Sequence, residues 1–213
     1  MFSGTTPSAH QGGTNLMRGG DDPGEVMRII IGLTGASGAV YGLRLLQELA
    51  ATEHEVHAVL SEYGVKVLEH ECGVGESHIR SLVHALYPVD DITAPIASGS
   101  FRADVMAVVP CSMRTLGAIA SGLAGNLLCR AADVMLKERK NLVLAVRETP
   151  LSPIHLENML KLARMGVGIV PACPGFYHKP KTIDDLTAIM AGRILDSMGI
   201  HTDCFARWNG MTA

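Results

Sequence analysis

The chain has 213 residues, which suits one domain with a sizeable core. Its 47% hydrophobic and 18% charged content excludes a disordered chain, and a net charge of −3 without a basic run excludes a nucleic-acid surface. The five cysteines (Cys72, Cys111, Cys129, Cys173 and Cys204) show no Cys-x-x-Cys spacing and read as reduced cytosolic thiols, and no apolar run reaches membrane-spanning length.

Residues 1–26 are rich in Gly, Ser, Thr and Asp, lack apolar periodicity and carry no signal-peptide core. They read as a flexible extension, leaving 27–213 as a single domain. Arg28 to Leu33 reads as the first strand, followed by a helix from Ala39 to about Ala51. Val56 to Leu60 reads as the second strand and Glu62 to Glu71 as a helix. Val105 to Val109 reads as the third strand, closing in a Pro110-Cys111-Ser112 loop. Helices over Thr115–Ser121 and Leu127–Arg139 are split by Gly122 and Gly125. Leu142–Val146 reads as a strand, Ile154–Met165 as a helix, Gly168–Val170 as a short strand and Thr182–Met198 as the last helix. Strands alternating with helices predict a three-layer, Rossmann-like, mostly parallel sheet of flavodoxin type. Such a sheet binds ligands beyond its strands' carboxyl ends. The loops Thr34–Gly38, Ser61, Ser112–Thr115, Arg147–Glu148 and Pro171–Tyr177 therefore become the functional candidates.

The first of these loops is the most specific. Gly32-Leu33-Thr34-Gly35-Ala36-Ser37-Gly38-Ala39 ends a strand in glycines and small hydroxyls and then opens a helix, the pattern of a phosphate cradle served by free helix N–H groups. A nicotinamide enzyme is disfavoured. Position 41 holds Tyr41 where its pattern needs glycine, and the second strand ends in Ser61 rather than an acidic residue. The Tyr177-x-x-x-Lys181 pair has Pro180 inside it, which breaks the helix such a pair requires. A flavin mononucleotide fits better: Ser37, Ser61, Ser112 and Thr115 suit ribityl and phosphate oxygens, and Arg147 suits the electron-rich end of a reduced flavin.

Six segments in order then carry a resemblance. They are Leu33–Ala39, Pro95–Ser100, Pro110–Leu116, Arg130–Glu138, Arg147–Leu151 and Pro174–His178. The chain resembles the UbiX-type flavin prenyltransferases from Met27 to Trp208, most specifically through Arg-Ala-Ala-Asp-Val-x-Leu-Lys-Glu and Arg-Glu-x-Pro. That resemblance implies transfer of a dimethylallyl group from dimethylallyl monophosphate to N5 and C6 of reduced FMN, without metal, yielding prenylated FMN for a partner decarboxylase. It implies FMN contacts at Gly35, Ala36, Ser37, Ser61, Ser112, Met113, Arg114, Thr115 and Arg147. It implies substrate contacts at Ser98, Tyr177 and Arg193. Catalytic roles fall to Ser37, at the flavin N5 edge, and to Glu71, Arg130, Lys137, Glu148 and Trp208. The cations stabilise the leaving phosphate, Glu148 does acid–base work, and Trp208 faces the allyl cation. The family forms homododecamers, with sites at subunit junctions, in the cytoplasm.

Plainer readings stand beside these. Arg130 and Lys137, seven apart, share one helical face and fit a solvated stripe. Arg147-Glu148 fits a surface ion pair and Trp208 a packing anchor, while His57, His155 and His178 lack metal-ligand spacing. The competing functions are a non-catalytic FMN carrier and a flavin-dependent cysteine or aromatic-acid decarboxylase. The cysteine enzymes carry an early first-helix histidine, which Val40–Arg44 lacks.

Overall fold

The computed structural model describes residues 26–210, so the 1–26 extension falls outside the described residues except for Val26. Six parallel strands form one sheet: β1 Arg28–Leu33, β2 Glu55–Leu60, β3 Ala85–Tyr87, β4 Val105–Cys111, β5 Asn141–Val146 and β6 Gly168–Ile169. The helices are α1 Ala39–Ala50, α2 Glu62–Cys72, α3 Glu76–Leu82, α4 Met113–Ala120, α5 Leu127–Lys137, α6 Pro153–Arg164 and α7 Ile183–Met198. Two 3-10 turns, Pro95–Ala97 and Gly99–Phe101, precede β4.

The sheet is covered on both faces, so its central strands read as unbroken apolar runs. In β1, Ile29 and Ile31 enter one core with Leu45, Leu49, Met190 and Ile194 of α1 and α7. Ile30 enters the other, with Leu116, Leu128, Ala131 and Met135 of α4 and α5. In β4, Val105, Ala107 and Val109 alternate in the same way with Met106 and Val108, the period of two that pleating imposes. Small polar side chains cap most of these helices. Ser61 and Ser112 cap α2 and α4, and Asn126, Ser152 and Thr182 cap α5, α6 and α7.

The expected elements are present, with three differences. Residues Glu76–Leu82 and Ala85–Tyr87 form α3 and the edge strand β3, yet each buries a single residue, Ile79 or Leu86, too little to leave a period. The 3-10 turns were likewise not expected. The third expected strand does not stop at Val109 but runs through Pro110 to Cys111. Proline donates no hydrogen bond, and the β4–β5 register slips between Val108 and Cys111 to accommodate it.

The strand order is β3-β2-β1-β4-β5-β6. Leaving out the edge strand β3, this is the flavodoxin-like order, and the winding of the sheet reverses between the parallel strands β1 and β4. The carboxyl ends of those two strands therefore open a crevice. On one side of it, α1 comes close to β4 at Gly42, where a Cβ would lie 2.4 Å from the Val109 carbonyl oxygen. Gly42→Ala should destabilise the fold by about 1–3 kcal/mol through overpacking, read as a lowered urea midpoint. An unchanged midpoint would refute the close approach.

Candidate active site

Two loops meet in the crevice through one buried side chain. The Thr34 hydroxyl donates to the Pro110 carbonyl at 2.7 Å and accepts from the Ser112 N–H at 2.9 Å. Thr34 is only 2% exposed, so these bonds are shielded from water. They fix the Thr34–Gly38 loop against the start of α4. Sequence reasoning placed Thr34 in a candidate loop but gave its side chain no role of its own. Its signal is a hydroxyl placed directly after an apolar strand.

The free N–H groups expected at the start of α1 are in fact occupied. The Glu71 carboxylate, reaching over from the end of α2, accepts from Gly38 N at 2.8 Å and Ala39 N at 2.9 Å. Burial raises its pKa. Against that, the Ser37 hydroxyl, the two N–H groups and nearby Arg147 together outweigh burial and hold the carboxyl below the usual range. A phosphate dianion at this helix start would face a carboxylate. The donors left for a phosphate lie at the starts of α2 and α4. Ser61 Oγ accepts from Gly64 N at 3.0 Å. Ser112 Oγ meets Thr115 Oγ1 at 3.2 Å, and the helix leaves the N–H groups of Met113 and Arg114 without intrahelical partners. The side chain of Met113 packs on the core and Arg114 is exposed, so the backbone is what these two offer the crevice.

Gly35, buried Ala36 and exposed Ser37 line the loop. Gly35 packs so tightly on Tyr63 that an added Cβ would lie 2.5 Å from the Tyr63 Cβ. Gly38 takes φ +96°, and an added Cβ there would meet the Tyr41 ring and Arg147. The Arg147 N–H donates to the Cys111 carbonyl at 3.2 Å, which ties its loop to the end of β4. Ser37, Ser61, Ser112, Thr115 and Arg147 thus gather at one sheet edge, and this set of hydroxyls, free N–H groups and one guanidinium suits FMN. Glu148 is exposed and accepts from the adjacent Thr149 N–H at 2.9 Å.

A second group lies in the loop after β6 and the chain's end. The Tyr177 and Trp208 rings meet edge to face, centroids 5.6 Å apart. Tyr177 sits in a loop that continues to Pro180 and Lys181, not in a helix. His178 beside it buries both ring nitrogens without a partner. Arg193 on α7 donates to Asp196 at 3.1 Å.

The third group stands apart. Arg130 Nε donates to the Ala97 carbonyl at 3.1 Å and its guanidinium pairs with Asp133 at 2.8 Å. Lys137 pairs with Glu138 beside Gly99, and Ser98 Oγ contacts Ser100 Oγ at 2.9 Å. Lys137 ends α5 just before Asn141 opens β5, whereas Arg147 follows the last residue of β5. A six-residue strand at ~3.3 Å per residue puts the two at opposite ends, about 20 Å apart. A single pocket holding Lys137 with Ser37 and Arg147 is therefore not formed within one chain. The seven-residue spacing placed Arg130 and Lys137 on one face but said nothing of which sheet edge that face approaches.

The Glu71 cap has a pH signature. A lowered folded pKa stabilises above the unfolded value of about 4.5, and that stability is lost as pH falls through the folded value. Glu71→Gln should lower the urea midpoint at neutral pH and flatten its decline below about pH 4.5. Parallel wild-type and variant curves over that range would refute the cap.

The flavoprotein family model matches residues 21–195. A relative from Alkalihalophilus pseudofirmus, flavin prenyltransferase UbiX, is 50% identical over 84% of this chain and 94% of its own. The crystal structure of AnUbiX (PadA1) in complex with FMN and dimethylallyl pyrophosphate has a TM-score of 0.86 at 46% identity, covering 88% of this chain and all of that one. A dodecameric FMN-dependent UbiX-like decarboxylase from Escherichia coli O157:H7 has a TM-score of 0.85 at 46% identity, covering 86% of this chain and all of that one. With half of the aligned residues identical to a flavin prenyltransferase and its loops converging on the β1–β4 crevice, the chain belongs to the UbiX-type flavin prenyltransferases, a branch of the flavoprotein family.

Proposed function

We propose that this chain transfers a dimethylallyl group from dimethylallyl monophosphate to N5 and then C6 of reduced FMN, and passes the prenylated flavin to a separate decarboxylase. The observation that carries this reading is the crevice itself: hydroxyl-lined loops that Thr34 ties together, beside Arg147. Gly35, Ala36, Ser37, Ser61, Ser112, Met113, Arg114, Thr115 and Arg147 hold FMN, which when bound and reduced supplies the electron-rich ring positions that are alkylated. Ser37 orients the N5 edge, and Glu71 fixes Ser37. Tyr177 and Arg193 bind the substrate phosphate. Trp208 offers an electron-rich face to positive charge developing on the allyl carbon, worth roughly 0.5–2 kcal/mol. Glu148, exposed at the loop after β5, gives a proton to the departing phosphate and later accepts one from the ring carbon.

Ser98, Arg130 and Lys137 complete the phosphate site from a neighbouring copy of the chain. The separation of Lys137 from Arg147 along β5 supports this arrangement, and so does the apolar surface of α6, where Ile154, Leu156 and Leu160 are each more than half exposed. Among the described residues no helix is long and apolar enough to cross a membrane.

Incubated anaerobically with reduced FMN and dimethylallyl monophosphate, the protein should yield a flavin heavier by one prenyl unit. Mass spectra showing only FMN would favour a carrier. Glu148→Gln should retain FMN and slow product formation about 100-fold, whereas normal turnover would remove the acid–base assignment. With the site shared in this way, the impaired Lys137→Met and Glu148→Gln chains, unfolded together and co-refolded, should regain a substantial part of the activity. Mixed assemblies as inactive as their parents would place the whole site within one chain.

A further inference from the structure

The last segment of the described chain, residues 201–210, is fastened to α7 at three points. Phe205 sits in a notch at Gly192, where any added Cβ would come within 2.1 Å of the Phe205 ring. The Cys204 thiol donates to the Ala188 carbonyl at 3.5 Å. Arg207 lies over the Phe205 ring at 5.0 Å and grips Asp196 with two nitrogens, at 2.8 and 3.1 Å. Arg207 also donates to the Thr202 carbonyl at 3.0 Å, which closes the segment on itself. The next residue is Trp208, whose ring meets Tyr177. Elsewhere the segment stands off the 178–181 loop, and a cavity of about 350 Å³ lies between His178 and Lys181 on one side and Cys204 and Phe205 on the other.

Asp196 is the hub of this arrangement. The Oδ2 atom that accepts from Arg207 also accepts from Arg193 at 3.1 Å. One carboxylate thus serves two guanidinium groups, and the cluster keeps a net positive charge. The Asp196 side chain is 21% exposed and that of Arg193 is 59% exposed. When Arg193 turns to an anion, Asp196 still has its two-point grip from Arg207, so its half-buried carboxylate is not left unpaired.

We propose that Asp196 is a positioning residue for prenyl transfer: it presents Arg193 to the anionic end of the substrate and, through Arg207, holds the C-terminal strap that sets Trp208 against Tyr177. This rests on the reading of Arg193, Tyr177 and Trp208 as the substrate-contacting residues. The two arms separate kinetically. Arg193 acts on substrate affinity, and the strap acts on the rate through the aromatic face.

Trp208 is the chain's sole tryptophan, so its fluorescence reports the strap directly. Arg207→Lys keeps the charge but loses the two-point grip. It should raise acrylamide quenching of Trp208 about twofold and lower kcat about fivefold, with KM within about twofold of wild type. Asp196→Asn should add a rise of about tenfold in KM for dimethylallyl monophosphate. Asp196→Glu should recover part of both effects, and the Kd for FMN should stay unchanged in all three. A merely structural staple predicts a lower melting temperature and raised Trp208 quenching with wild-type kcat and wild-type KM, and that result overturns the proposal. If Asp196→Asn does not fold, Arg207→Lys carries the strap arm and Asp196→Glu the affinity arm. A wild-type protein that fails to bind dimethylallyl monophosphate overturns the reading of the site, while the quenching of Trp208 still decides the clamp.

Discussion

The Thr34 hydroxyl is the smallest group on which the largest part of the site depends. It bridges the carbonyl of Pro110 and the N–H of Ser112 at the point where the sheet's winding reverses. A doubly wound sheet always leaves a crevice there, but not one of fixed width. Two short bonds inside the core set how far the β1 loop stands from the first turn of α4. That spacing decides whether hydroxyls from both sides reach the same ligand. Val or Ala at this position would leave the buried Pro110 carbonyl unpaired, at a cost of about 1–3 kcal/mol, and the half-buried Ser112 N–H without its partner.

Carboxylates do a parallel job at two other points. Glu71 closes the start of α1 and so leaves the free helix-start donors of the crevice on α2 and α4. Asp196 joins two arginines on α7 and the terminal segment. Both arrangements rest on several donors to one acid, the pattern that holds geometry in a polar pocket better than an isolated surface pair does.

Much of this was legible in the sequence because it is periodic or local. The apolar runs of β1, β4 and β5, the stripe of α1 and the serine caps of α2 and α4 follow from pleating, helical pitch and unsatisfied helix ends. The loops at the carboxyl edge followed from the alternation of elements. What stayed hidden was long-range. Nothing near Glu71 in the chain announces that it reaches Gly38, 33 residues away. The apolar run of β4 looked finished at Pro110, since the register slip that lets the strand continue belongs to its neighbour β5. A spacing of seven told which face of α5 carries Arg130 and Lys137, but the end of the sheet reached by Lys137 depends on the direction in which α5 descends to β5.

The placement of Lys137 at the far rim from Arg147 has a kinetic corollary. When neighbouring copies supply the parts of one catalytic centre, an isolated subunit is inert however well folded it is. Specific activity then depends on the enzyme's own concentration. It falls on dilution below the dissociation constant of the junction, and substrate that bridges the two halves drives assembly by mass action.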